Sequence, residues 1–273
     1  MRWIYLSPHL DDAVLSAGGL IYEQTQAGIP VEIWTFMCGN PPEGETSPFA
    51  QLLHHLWGFS SAEEVVRERR AEDENAAAIV GATTVHFDFL DCIYRRGGNG
   101  DWLYSEISVP PHEADADLPS QIAGAISARL TRDDPARFNS PFQRSERDDV
   151  LVCQLSVGSH VDHVIVRQAA ELLGRPLIYD IDVPYIFYQP HELEPKSAGM
   201  IPLASLKNKE ASGMKESTHS ITETGLERWQ EAVLAYKSQI PTLGDVFDTP
   251  EKAQESIRSY WGERKGIRLL QSE

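Results

Sequence analysis

The sequence is poor in cysteine, short of basic side chains relative to acidic ones, and without any long apolar run. Each shortage narrows what the chain can be. Its 273 residues hold three cysteines, Cys38, Cys92 and Cys153, odd in number, far apart and each in or beside an apolar stretch. That pattern argues against a disulfide framework and a Cys-paired structural zinc site, and fits buried thiols in a reducing compartment. Lys and Arg number 24 against 41 Asp and Glu, a formal net charge of -17. Such a chain has no general attraction for phosphate backbones or anionic lipid, so neither nucleic acid nor a membrane is an expected partner. No apolar run is long enough to span a bilayer, and residues 1–6 lead straight into strand-like sequence rather than through a basic and apolar leader. A cytoplasmic location is therefore the expectation. There is no internal repeat, and no Gly-x-Gly-x-x-Gly turn follows the first apolar run, which disfavours a nucleotide-binding Rossmann enzyme.

What is present reads as strands alternating with helices. The expected fold is a single Rossmann-like, three-layer α/β domain over residues 1–273, with a mainly parallel sheet and long active-site loops inserted near 39–60, 92–117 and 132–149. Continuous apolar runs predict strands at 2–7, 31–38, 83–89, 150–155 and 177–181, as interior parallel strands require. Helical spacing predicts helices over 12–26, 61–80, 118–130, 164–173, 226–239 and 250–261. Ser61 is read as a helix cap with Glu64 completing a capping box. Gly18-Gly19 inside the first helix implies close backbone packing against the sheet. Residues 191–223 are polar and show no clear pattern.

Two strand-to-helix turns carry the chemistry. The first strand ends in Ser7-Pro8-His9-Leu10-Asp11-Asp12, and the strand at 150–155 runs into Ser156-Val157-Gly158-Ser159-His160-Val161-Asp162-His163. Open α/β sheets present their sites at the carboxyl ends of strands, which places both turns on one edge. Alone, His9 reads as a satisfied polar residue and Asp11-Asp12 as a helix cap. Together the turns supply the nitrogens and carboxylates of a catalytic zinc site, where three protein ligands leave a position open. His160 has the alternative reading of a helix-start residue bonded to backbone. His54, His55, His86 and His112 read as surface or loop histidines. Trp57, Tyr94 and Trp102 read as loop anchors in preference to sugar-stacking rings.

These motifs resemble those of the LmbE-like or PIG-L family of zinc-dependent N-deacetylases, whose signatures are His-Pro-Asp-Asp and His-x-Asp-His. Here they stand as His9-Leu10-Asp11-Asp12 and His160-Val161-Asp162-His163, with Leu10 replacing the commoner proline and Ala13 standing where an acidic residue is frequent. Weaker matches are Arg69-x-x-Glu72-x-x-x-Ala76-x-x-x-Val80-Gly81, Asp182-Val183-Pro184-Tyr185 and Tyr236-Lys237-Ser238-Gln239. The three long loops have no match.

The resemblance implies that His9, Asp12 and His163 hold one Zn²⁺, with Fe²⁺ accepted by the same ligands, and that Asp11 is the general base. It implies that His160, as imidazolium oriented by Asp162, stabilises the developing charge. Arg69, Asp91 and Ser16 are the implied contacts to sugar hydroxyls, although a surface ion pair of Arg69 with Glu72 or Asp73 is an equal reading from helix spacing. The expected activity is removal of an acyl group, with acetyl favoured, from an N-acylated amino sugar or its glycoside. The partner is then a small molecule, and a homo-oligomer is compatible. The rival readings are an amidase for another conjugate, such as a thiol S-conjugate, and a metal-bearing sugar-binding protein without turnover.

Overall fold

The computed structural model describes residues 1–133, 149–188 and 214–272. Seven strands form one sheet in the order β3-β2-β1-β4-β5-β7-β6. They are β1 (Trp3–Ser7), β2 (Val31–Thr35), β3 (Thr83–His86), β4 (Val150–Gln154), β5 (Leu177–Asp180), β6 (Met214–Ser220) and β7 (Gly266–Ser272). The first five run parallel, with Trp3 beside both Val31 and Val150, while β7 pairs antiparallel with β5 and with β6. The expected Rossmann-like architecture is thus present, with an antiparallel edge added.

The helices are α1 (Asp12–Gln26), α2 (Pro48–Leu56), α3 (Ala62–Ile79), α4 (Leu118–Asp133), α5 (Val161–Leu172), α6 (Glu223–Val233) and α7 (Pro250–Arg264). Ile4, Ile33, Trp34, Val14 and Ile21 are fully buried, as strands covered on both faces demand. The three cysteines are buried and unbonded. Among the described residues no helix is long and apolar enough to cross a membrane.

Several expectations change in detail. Gly18-Gly19 packs against α6 and against Ile221, two residues ahead of it, rather than the sheet. A Cβ on Gly18 would lie 2.6 Å from Trp229 Cδ1, and one on Gly19 would lie 2.9 Å from Ile221 Cδ1. The Trp229 indole also donates to the Val14 carbonyl at 2.8 Å, which locks α6 across α1. Ser61 caps α3 by accepting from Glu64 N, but the Glu64 carboxylate takes Ser60 N and Ser60 Oγ, so the box closes one residue earlier than read. The stretch read as a loop at 39–60 contains α2, started by Ser47 accepting from Ala50 N with Pro48 in the first turn. Part of the unpatterned stretch at 191–223 is β6, while 189–213 lies outside the described residues, as do 134–148 of the third insertion.

Candidate active site

Chain order reverses between β1 and β4. From β1 the chain proceeds outward to β2 and β3, and from β4 it proceeds the other way to β5. The crevice beyond their carboxyl ends is where an open α/β sheet binds its ligand. The turn after β1 is tied to itself: Ser7 Oγ donates to His9 O at 2.7 Å and accepts from Ala13 N at 3.1 Å, and Asp12 Oδ2 accepts from His9 N at 2.8 Å. The turn after β4 passes through left-handed backbone at Ser156, Gly158 and Ser159. Such conformations are costly for non-glycine residues and cluster at functional turns. They bring His160 to the N-cap of α5, where its Nδ1 accepts from Asp162 N at 3.2 Å.

The hydrogen bonds assign each ring nitrogen. His163 Nδ1 is 2.9 Å from Asp182 Oδ1, so it carries a proton there, and its Nε2 faces Asp12 Oδ2 at 3.3 Å. His9 Nε2 is 3.1 Å from Asp162 Oδ2, while its Nδ1 faces the same Asp12 oxygen at 3.2 Å. Carboxylate partners that fix one imidazole nitrogen so that the other can ligate are the usual surroundings of metal-binding histidines. His160 is the opposite case. Its Nδ1 is used as an acceptor, so in the neutral ring the proton sits on Nε2, which is then a donor rather than a ligand. Ring nitrogens of His9, His160 and His163 all lie within 4.8 Å of one another.

Burial without compensation would lower both ligand-type imidazoles, yet Asp12 and Asp162 hold His9 well above its ordinary value, and Asp12 and Asp182 lift His163 to about 9. Asp12 is held well below the usual carboxylate range, since His163 and His9 outweigh its burial. Burial and the adjacent Asp12 push Asp11 up to about 7 against the pull of Arg69. Burial, with the His9 and His163 rings beside it, drives His160 well below its ordinary value. A neutral His160 therefore replaces the expected imidazolium. Nor does the Asp162 carboxylate orient it: Asp162 Oδ1 lies 2.6 Å from Arg95 Nη1, while Oδ2 takes Cys92 N and His9 Nε2. Asp162 reaches His160 only through its backbone N–H.

A cavity of about 240 Å³ opens over this cluster. Asp11, Arg69 and Asp91 all line it. Arg69 makes no pair with Glu72 or Asp73; its Nη2 lies 3.6 Å from Asp11 Oδ2 and its guanidinium stacks 4.9 Å over Trp57. Glu72 is taken by Ser238, and Asp73 by Tyr236, His86 and Thr35. Ser16 is not brought to the cavity. Its hydroxyl accepts from Gln154 Nε2 and Val183 N, so it holds β4 and the 182–185 turn onto α1. His54 is no surface histidine but is buried on α2, with Nε2 2.7 Å from Tyr94 OH.

Sequence reasoning missed the apolar wall of Phe49, Leu53, Ile93 and Leu243, and it missed Arg95. Phe49 and Leu53 repeat at i, i+4, a helical signal present in the loop but masked by its prolines. Arg95 sits in an insertion without a motif, and no signal pointed to it.

The fold and its crevice together define an open α/β protein with a candidate metal centre at the carboxyl edge of its sheet. Residues 4–173 match the family described as PIG-L: GlcNAc-PI de-N-acetylase, and the chain belongs to that family. A curated relative, 1D-myo-inositol 2-acetamido-2-deoxy-alpha-D-glucopyranoside deacetylase from Tsukamurella paurometabola, is 29% identical over 169 residues, 60% of this chain. The match spans about half, 51%, of that relative's length. Among solved structures, a deacetylase of the teicoplanin biosynthesis pathway, as its deacetylase-bog complex, is 26% identical with a TM-score of 0.76, covering 99% of this chain and 97% of that one. The A40926 pseudoaglycone deacetylase is 25% identical with a TM-score of 0.70, over 99% and 96% of the two chains.

Proposed function

We propose that this protein is a zinc-dependent N-deacetylase that releases acetate from an N-acetylated amino sugar carried on an apolar aglycone. The observation that carries the reading is the placement of Asp11: a buried carboxylate beside the His9, Asp12 and His163 cluster, outside its hydrogen bonds, and facing the cavity with Arg69. The donor set fits a borderline divalent ion. His9 Nδ1 and His163 Nε2 converge on Asp12 Oδ2 at 3.2 and 3.3 Å, and two nitrogens with one carboxylate oxygen suit Zn²⁺ or Fe²⁺. When bound there, such an ion supplies Lewis acidity and lowers the pKa of a coordinated water to about 7.

The remaining work falls to the chain itself. Asp11, ionised, accepts a proton from the attacking water as the water oxygen bonds to the acyl carbon. Arg69 keeps the carboxylate in place, and its fork together with Asp91 offers bidentate contacts to neighbouring sugar hydroxyls. His160, neutral with its proton on Nε2, donates to the acyl oxygen as that atom gains charge. The carbon–nitrogen bond then breaks, the proton held by Asp11 passes to nitrogen, and the products are the free amine and acetate. Phe49, Leu53, Ile93 and Leu243 line the same cavity and favour an aglycone with apolar surface over a free sugar.

The test is free-amine release from a panel of N-acetylglucosamine, its alkyl glycosides, acetylated disaccharides and bulkier thiol conjugates. Each is assayed with zinc, after chelation, and after zinc is restored. Chelator-sensitive release from the glycosides is the expected result. Release from the thiol conjugates alone would replace the reading with a conjugate amidase, and stoichiometric zinc binding without any release would leave a sugar-binding protein.

A further inference from the structure

The cavity is lined by a further polar side chain to which the motifs assign no role. Tyr185 follows β5 in a short helical turn, Tyr185–Phe187, and its ring forms part of the cavity wall with His9, Asp11, Asp12 and His163. The ring is fixed from two sides. It stands edge-on to the His163 imidazole, centroids 5.8 Å apart and planes at 86°. Its other contact is Gly158, at left-handed φ 87, where a Cβ would overlap Tyr185 Cδ1 and come within 2.7 Å of Cγ. Only glycine lets the ring approach this turn, two residues before His160.

The hydroxyl, by contrast, is left over. The neighbouring tyrosine of the cavity, Tyr188, donates its hydroxyl to the Leu243 carbonyl at 3.2 Å. Among the described residues Tyr185 has no hydrogen-bond partner for its own. A ring held rigidly on both sides, with its polar tip unspent in a cavity, is the arrangement of a group reserved for a ligand. A phenol ordinarily titrates at about 10, so at neutral pH it keeps its proton and serves as a donor.

We infer that Tyr185 is a further catalytic residue, whose hydroxyl donates a hydrogen bond to the acyl oxygen of the substrate as the tetrahedral intermediate forms, alongside the Nε2–H of His160. No bond is made or broken at Tyr185 and its proton stays in place. The inference rests on the deacetylase reading above. It accounts for three features at once: the glycine at position 158, the edge-on contact with His163, and the hydroxyl without a partner.

The experiment compares zinc-loaded wild type with Tyr185→Phe on octyl N-acetylglucosaminide and N-acetylglucosamine. It measures kcat, KM, bound zinc, and inhibition by the methylphosphonamidate of glucosamine, which mimics the tetrahedral species. Loss of one oxyanion donor costs about 10²-fold in kcat. The expected variant shows that loss with KM within about twofold, zinc content unchanged, and phosphonamidate inhibition weakened by about the same factor as kcat/KM. Unchanged kcat overturns the assignment. So does a rise in KM alone, which would make Tyr185 a sugar contact, and so does loss of zinc, which would make it structural. Wild type that releases no amine from any glycoside overturns the deacetylase reading, and the role of Tyr185 with it.

Discussion

Arg69 Nη2 lies 3.6 Å from Asp11 Oδ2, with both side chains buried. The pair sets a balance, because burial and Asp12 push the Asp11 carboxyl up to about 7 while Arg69 pulls it down. A carboxyl whose folded value is raised costs stability once it ionises: the penalty is absent below the unfolded value and complete above about 7. Asp11→Asn is expected to abolish turnover, retain zinc, and stabilise the metal-free protein by on the order of 2 kcal/mol at pH 8 and by little at pH 4. Urea melts of the metal-free proteins at both values check this. Removing the cation by Arg69→Ala raises Asp11 further, so the acid limb of kcat/KM is expected to move to higher pH, by about one unit. An acid limb that stays in place would separate Asp11 from the base role.

Metal uptake should be linked to protons. In the metal-free protein His163 is lifted to about 9 and His9 well above its ordinary value, so near pH 7 both rings are charged. Ligation requires them neutral at His9 Nδ1 and His163 Nε2. Zinc binding is expected to release about two protons, and apparent affinity to fall roughly 100-fold for each unit that pH drops below 7. Calorimetry in two buffers of different ionisation enthalpy counts the protons directly. Release of none would mean that these rings are not the ligands.

Arg95 reaches the centre from the insertion at 92–117. Its Nη1 is 2.6 Å from Asp162 Oδ1 and its Nε is 3.0 Å from Asp115 Oδ2, and Asp115 in turn accepts from Tyr104 OH at 2.6 Å. The Asp162 carboxylate held this way fixes His9 through Nε2. Arg95→Met leaves a buried carboxylate without its cation, a loss of about 3–5 kcal/mol. It should also weaken zinc binding roughly 10–100-fold by loosening a ligand's orienting partner. Zinc competition with a chromophoric chelator, read beside a thermal melt, tests both. A destabilised variant with wild-type zinc affinity would confine Arg95 to the fold.

The parts of this site that the sequence disclosed are those tied to local chain geometry. His9, Asp12 and His163 follow strands and open helices, so apolar runs and turn residues were enough to bring them to one sheet edge. Side-chain direction was less accessible. Ser16 sits on the helix that carries the site, yet it points to Gln154 and Val183, a choice made by strands and turns distant in sequence. Asp162, between two histidines, turns away from His160 because Arg95, in an unmatched insertion, is the stronger partner. The antiparallel strands β6 and β7 were missed for a physical reason too. Residues 214–220 form a mostly exposed edge with polar side chains, and only pairing with β7 makes them a strand.

Trp57 joins three parts of the molecule that are remote in sequence. It follows α2, it packs under the Arg69 guanidinium from α3, and its indole Nε1 donates at 3.1 Å to Thr242 Oγ1 in the short helical turn Ile240–Thr242. With Phe49 and Leu53 it lines the cavity, so this wall meets the part of a substrate that lies beyond the reacting amide. The Asp11 cluster is held by other contacts, and truncating Trp57 should therefore leave the chemical step largely intact. Trp57→Ala removes a cation–π partner and apolar area worth roughly 1–2 kcal/mol at a partly buried site, a rise in KM of about 5–30-fold. The rise is expected to be larger for octyl N-acetylglucosaminide than for N-acetylglucosamine, because only the former reaches the apolar wall. Trp57→Phe keeps the ring and loses the bond to Thr242, so its KM should fall between the two. A drop in kcat equal for both substrates, with KM unchanged, would instead mean that Trp57 acts through Arg69 on Asp11, and the wall would have no part in choosing the aglycone.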